Sequence, residues 1–238
     1  MPEHPLIYIA GDTPDITKIK EIATIAEETK QGLKLGLEFL NSNGPQGIQE
    51  VREAFPDVPL FLDLKYHDIP NTVRAAVREI TKLDIDYVNV HASGGLEMMK
   101  YAVEGAQEGA TKAGVRVPNV LGVTILTSLD EEDMELIGFY GSTDELVMRL
   151  ARLADEAGLA GVVCSAMEIK MIRRQMGDKF TLMVPGIRPA GAEIGDQKRV
   201  MTPQEALADG ATHLVIGRSI TGADDPKKAI EEILKTCA

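Results

Sequence analysis

Eight short, apolar, β-rich runs recur along this chain between longer segments, and that alternation constrains the fold more tightly than any bulk property. The runs are Leu6 to Ala10, Gly32 to Gly36, Leu60 to Lys65, Tyr87 to His91, Val120 to Leu126, Gly161 to Cys164, Thr181 to Val184 and His213 to Ile216. Between them, Thr17 to Lys30, Thr72 to Lys82, Glu97 to Ala113, Asp144 to Ala157 and Pro226 to Thr236 repeat apolar residues at helical spacing. Strand then amphipathic helix, repeated, is the pattern of parallel strands joined by crossover helices. Eight such units in 238 residues suit a single closed (β/α)8 TIM barrel. No low-complexity linker or shift in composition divides the chain, so residues 1–238 are expected to form one domain.

An open, doubly wound sheet is the rival architecture. Its dinucleotide turn, G-x-G-x-x-G, should follow the first strand, where this chain has Gly11-Asp12-Thr13-Pro14-Asp15. The Walker lysine pattern is absent as well. Two cysteines, Cys164 and Cys237, are too few for a disulfide framework or a thiolate metal site. With no signal-like stretch after Met1-Pro2-Glu3-His4-Pro5 and no apolar run near the ~20 residues that span a bilayer, the expected setting is the cytoplasm and not a membrane. A formal charge of −12 argues against nucleic acid as a partner, because phosphate backbones require concentrated Lys and Arg. Against such a background, each cation near a candidate site for a small anion gains weight.

In a parallel barrel the functional groups gather at the carboxyl ends of the strands. The third run carries Asp63 and Lys65, two residues apart and so on one face of a strand, followed by Asp68 where strand becomes loop. Lys34 interrupts the apolar second run at a comparable height and is expected to meet Asp63, while Asp12 ends the first run. Any one of these charges reads equally well as an ion pair closing the barrel end. Several buried together favour function, since stability alone is better served by apolar packing. Flanking carboxylates favour the ammonium form of Lys65, against desolvation. A protonated lysine can stabilise a carbanion and donate a proton but cannot attack a carbonyl, which weakens a Schiff-base aldolase reading.

The segment Asp63-Leu64-Lys65-Tyr66-His67-Asp68-Ile69-Pro70-Asn71-Thr72-Val73 resembles the D-x-K-x-x-D-I-P-N-T-V signature of the orotidine 5′-phosphate decarboxylase family. Leu33-Lys34-Leu35-Gly36-Leu37-Glu38, Gly122-Val123-Thr124-Ile125-Leu126-Thr127-Ser128, Pro185-Gly186-Ile187-Arg188-Pro189 and Val215-Ile216-Gly217-Arg218-Ser219 extend the resemblance over nearly the whole chain in order. One departure is Ala10-Gly11-Asp12, where the family usually places a larger apolar residue before the aspartate.

The resemblance implies release of carbon dioxide from orotidine 5′-phosphate, giving uridine 5′-phosphate in pyrimidine synthesis, without metal or organic cofactor. It makes Lys65 the proton donor, sets Asp63 beside the substrate carboxylate, completes the network with Lys34 and Asp68, and assigns Asp12 to the ribose hydroxyls. It implies a homodimer in which Asp68, Ile69 and Thr72 reach the neighbouring subunit's site. Thr127 would read the pyrimidine. Gln197, on a loop after the seventh strand that could close as a lid, would contact phosphate and base, with Arg188 assisting. Gly217 and Arg218 would hold the phosphate, a role that fits the backbone amides and guanidinium available after the last strand of such a barrel.

Three other readings deserve comparison. A metal-dependent sugar-phosphate epimerase could use Asp63, His67 and His91 as ligands, but the Lys65 ammonium between them would repel the ion. A decarboxylase of keto sugar phosphates shares only the shorter D-x-K-x-x-D, and Ile69-Pro70-Asn71-Thr72-Val73 favours the nucleotide enzyme. A noncatalytic nucleotide-binding barrel would bind ligand without releasing carbon dioxide. Cys164, after an apolar run with no His partner evident, reads as a small buried residue and not a nucleophile.

Overall fold

Strand β1 (Ile7–Gly11) hydrogen-bonds to β2 (Gly32–Gly36) on one side and to β8 (His213–Ile216) on the other. With β3 (Leu60–Tyr66), β4 (Tyr87–His91), β5 (Asn119–Val123), β6 (Gly161–Val163) and β7 (Thr181–Pro185) following in chain order, the strands close a parallel barrel. This computed structural model describes residues 6–189 and 201–237. The helices are α1 (Ile16–Thr29), α2 (Leu37–Ala54), α3 (Pro70–Thr81), α4 (Leu96–Ala113), α5 (Glu131–Leu136), α6 (Thr143–Glu156), α7 (Ile169–Met176), α8 (Pro203–Ala208), α9 (Arg218–Thr221) and α10 (Pro226–Thr236). None of the described helices is long and apolar enough to cross a membrane.

The strands are apolar on both faces because each face meets a different core. Ile7 and Ile9 of β1, Leu33 and Leu35 of β2 and Leu62 and Leu64 of β3 join the layer beneath the helices. Tyr8, Phe61, Tyr87, Leu121, Met183 and Val215 fill the barrel interior. There Tyr8 packs edge-on to Phe61 and Tyr87, with ring centroids 6.0 and 5.8 Å apart, and Tyr87 Oη lies 3.1 Å from His213 Nε2. Burial, with a smaller push from Asp86, raises the Tyr87 phenol to about 12, so it remains a neutral hydroxyl in this floor.

Helix ends follow local chemistry. Asp15 accepts from the backbone N–H groups of Thr17 and Lys18, Ser142 and Glu145 form a reciprocal capping box, and Pro70 opens α3 after an extended Ile69. Helix α2, not among the stretches named from the sequence, is interrupted at Asn43-Gly44-Pro45. Gly44 breaks the helix, at φ 64°, and the chain re-enters helical geometry from Pro45. Strand β5 ends three residues before the expected Leu126. Its neighbour β6 stops at Val163, and Thr124 already spends both its N–H and its hydroxyl on the Val163 carbonyl, at 3.2 Å each.

Candidate active site

Period-two alternation along β3 sends Leu62 and Leu64 outward into the helix layer and leaves Phe61, Asp63 and Lys65 lining one cavity of about 190 Å³ at the carboxyl end of the barrel. The alternation does not come from a regular ladder. Leu62 pairs with Val88 and Tyr66 with Val90, so three residues of β3 stand opposite Asn89 alone. Lys65 absorbs this bulge with a left-handed backbone, φ 49°, uncommon for a residue with a side chain. The other two described non-glycine residues with positive φ, Lys30 and Asp84, lie just past helices.

The charges expected to converge do so. Lys65 Nζ donates to Asp63 Oδ1 at 2.6 Å, and Lys34 Nζ lies 3.6 Å from Asp63 Oδ2 and 2.7 Å from Asp12 Oδ1. Lys34 is only 6% exposed, whereas Asp12 faces the opening. Burial acts to raise the Asp63 carboxyl, but Lys34, Lys65 and a further hydrogen bond outweigh it and hold the group below its ordinary value. Order along the mouth is therefore Asp12, Lys34, Asp63, Lys65, with signs alternating. Below lies the aromatic floor, whose low polarity strengthens each of these interactions.

The further hydrogen bond comes from Asn89, which sequence reasoning passed over in favour of His91 two residues on. Asn89 is 0% exposed; its Nδ2 donates to Asp63 Oδ1 at 2.8 Å, and its Oδ1 accepts from the Lys65 backbone N–H at 2.7 Å. The signal was present: a polar residue between Val88 and Val90 in an apolar strand, the same kind of interruption that marks Lys34. The His91 ring lies 5.3 Å from that of His67, and burial, then His67 and Lys65, lower its pKa. Among the described residues, no three His, Cys, Asp or Glu side chains converge as metal ligands.

Thr127 lines the same cavity as Lys65 and Asp63, while adjacent Ser128 is exposed. Cys164 lines it too. Burial, reinforced by Glu168, pushes its thiol well above the usual range, so it is protonated and poorly suited to nucleophilic attack. Gly217 enters the mouth from β8: a Cβ there would stand 3.4 Å from the Ala10 Cβ and 3.8 Å from Asp12 Oδ2. Arg218 follows on the first turn of α9 and is exposed. Arg188 is 9% exposed and donates to the Ile187 carbonyl at 3.0 Å.

Asp68, Ile69 and Thr72 are not gathered into this cluster. All three are exposed at the entrance to α3; Asp68 accepts from the Ile69 N–H at 2.6 Å, and Ile69 is 68% exposed. Gln197 and most of the loop expected to act as a lid lie outside the described residues.

The profile of the orotidine 5′-phosphate decarboxylase / HUMPS family matches residues 5–233. The chain is 48% identical over 229 residues to an orotidine 5′-phosphate decarboxylase of Rhodospirillum rubrum, covering 96% of this chain and 92% of that one. It is 46% identical over 227 residues to one of Paramagnetospirillum magneticum, covering 95% and 96%. Among solved structures, the orotidine 5′-phosphate decarboxylase of Lactobacillus acidophilus superposes with a TM-score of 0.86 at 35% identity, covering 99% of both chains.

Proposed function

The chain belongs to the orotidine 5′-phosphate decarboxylase / HUMPS family, and from that premise we propose that it converts orotidine 5′-phosphate to uridine 5′-phosphate and carbon dioxide, a carboxy-lyase step of pyrimidine synthesis. The observation that carries this reading is the Lys65 ammonium held on Asp63 at the mouth of a barrel whose floor is largely aromatic and aliphatic.

The chemical obstacle is a carbanion at C6 of the pyrimidine, in the ring plane and without an adjacent electron sink. Breaking the bond from C6 to the carboxylate leaves the electron pair on C6 as carbon dioxide departs. A cation already in place beside C6 stabilises that pair without having to reorganise, which is where a fixed ammonium has most effect. Lys65 then gives one N–H proton to C6 and recovers a proton from water. Asp63 would face the leaving carboxylate, fixing Lys65 and repelling a like charge that vanishes as the bond breaks. Lys34, shared between Asp63 and Asp12, keeps the array in register.

The remaining assignments extend outward from the reacting carbon. Asp12 binds ribose hydroxyls, Thr127 the pyrimidine edge, and Gly217 with Arg218 the phosphate, with Gln197 and Arg188 assisting from the loop after β7. Because Gly217 stands beside Asp12, phosphate and ribose contacts would be neighbours, as one nucleotide requires. Remote phosphate binding would then help assemble the site before the bond breaks. Asp68, Ile69 and Thr72, exposed on one end of α3, would complete the site of a second copy in a homodimer. The enzyme is read as cytoplasmic, as one domain, and as needing neither metal nor organic cofactor.

Purified protein, treated with chelator and given orotidine 5′-phosphate, is expected to release carbon dioxide and form uridine 5′-phosphate, and to leave keto sugar phosphates untouched. Ligand binding without carbon dioxide release, or turnover confined to sugar phosphates, would overturn the assignment.

A further inference from the structure

The bulge in β3 poses a question that the four alternating charges leave unanswered: what keeps Lys65 in a left-handed backbone? On either side of the bulge β3 pairs in parallel register with β2, from Leu60 to Asp63, and with β4, at Phe61, Leu62 and Tyr66. Where three residues of β3 face one of β4, the Lys65 N–H finds a side-chain oxygen, Asn89 Oδ1, at 2.7 Å. The left-handed conformation is disfavoured for a residue bearing a Cβ, and it persists only where its surroundings over-determine it.

The same amide holds the other half of the pair. Asn89 Nδ2 donates to Asp63 Oδ1, the oxygen that also receives Lys65 Nζ, leaving Oδ2 turned toward Lys34. The orientation of the amide is fixed by chemistry. A backbone N–H can only donate, so the Asn89 oxygen must face Lys65 and its NH2 must face the carboxylate. A neutral amide meets both demands. Aspartate could not donate to an ionised Asp63, and an apolar residue could serve neither group. Full burial of Asn89 shields both bonds from competing water.

We propose that Asn89 is a positioning residue whose side-chain amide locks the Asp63 carboxylate and the strained Lys65 backbone into the geometry from which Lys65 protonates the substrate. The inference rests on the decarboxylase reading for what the geometry accomplishes, but the lock itself is independent of the reaction. Misplacement of a catalytic group by about 1 Å costs on the order of 100-fold in rate. Ribose and phosphate contacts come from other strands, so the loss should fall on kcat and spare KM.

Two variants separate this role from simple filling of the barrel. Asn89→Leu keeps the volume and removes both bonds. Asn89→Asp keeps the acceptor for the Lys65 N–H, removes the donor to Asp63 and adds a charge beside it. The charged or titratable groups around Asp63 are Lys34 on β2, with Asp12 beyond it, Lys65 on β3 and His91 on β4. For both variants kcat for orotidine 5′-phosphate should fall about 100-fold with KM changed less than about threefold. In Asn89→Asp the acid limb of the kcat profile should also move to higher pH. Exchange of the Lys65 amide hydrogen should be slow in the unsubstituted protein and in Asn89→Asp, and fast in Asn89→Leu.

A folded variant that keeps kcat within twofold, or loses KM and not kcat, overturns the proposal. Should Asn89→Leu fail to fold, Asn89→Asp decides alone, by its kcat and acid limb. An unsubstituted protein without turnover refutes the decarboxylase reading instead, and the exchange measurement then still decides the lock: equal Lys65 exchange in all folded proteins overturns it.

Discussion

Of the four charges at the barrel mouth, Asp63 gathers the most interactions, receiving Lys65 and Asn89 on one oxygen and facing Lys34 with the other. Because these contacts outweigh desolvation, its folded pKa lies below the ordinary 3.8. The sign of the linkage follows. The stabilising contribution is complete above 3.8, where the carboxyl is ionised in both states, and is lost as pH falls from there through the depressed folded value, because the unfolded chain takes up the proton first. In urea titrations between about pH 3 and pH 5, Asp63→Asn should lose part of the acid-side slope; curves for the two proteins that run parallel would contradict the arrangement. Much of this site was legible residue by residue. A lysine or aspartate in an apolar strand is costly, so Lys34, Asp63 and Lys65 announce themselves. Asn89 did not, because a neutral amide in a strand is cheap enough to be overlooked, and the left-handed Lys65 is invisible because Asp63-Leu64-Lys65 satisfies alternation with or without a bulge.

Among the elements, α3 and α4 show how one helix fixes the position of residues carried by another, here those proposed to serve a second copy. A Cβ on Gly105 of α4 would lie 2.4 Å from the Arg74 carbonyl oxygen of α3, and one on Gly109 equally close to the Arg78 carbonyl oxygen. The two helices therefore pack backbone to backbone, and α3 presents Asp68, Ile69 and Thr72 at its amino end. By intrinsic propensity Gly→Ala in a helix interior stabilises, by about 1 kcal/mol. Here Gly105→Ala should destabilise, by about 2 kcal/mol, since α3 must move to admit one methyl group. Thermal unfolding checks the sign, and a raised melting temperature would refute the contact. The boundaries of β2, β4, β8 and α10 coincide with those read from the sequence, where the chain turns sharply from apolar to polar or glycine-bearing. Strand β5 is shorter than its apolar run, and α2 carries an internal break, because the deciding facts, a short β6 and a glycine-proline restart, concern partners and backbone angles that a hydrophobic pattern does not encode.

Two charged clusters sit at opposite ends of the barrel. At the amino end, buried Asp86 accepts from the Leu60 N–H at 2.8 Å and from Arg116 and Arg52 at 3.0 and 3.4 Å, tying β3 and β4 to the chain around them. Desolvation lowers the Arg52 pKa, and Asp86 counteracts it. Asp86→Ala would leave the Leu60 N–H unpaired and the half-buried Arg52 guanidinium, still bonded to the Phe55, Pro56 and Val58 carbonyls, without its paired carboxylate, at a cost of about 3 kcal/mol, or roughly 6 to 12 °C in melting temperature, with kcat unchanged. A drop in kcat without a drop in stability would reverse that assignment of the two ends. At the carboxyl end sits the alternating array, which we propose decarboxylates a pyrimidine nucleotide with Lys65 as proton donor. The most direct measurement compares orotidine 5′-phosphate turnover by the unsubstituted protein and by Lys65→Ala, with uridine 5′-phosphate binding as the check that the variant's site is intact. The expected result is carbon dioxide release by the unsubstituted protein and its loss in a Lys65→Ala protein that still binds the product; undiminished turnover by Lys65→Ala would rule out Lys65 as the proton donor.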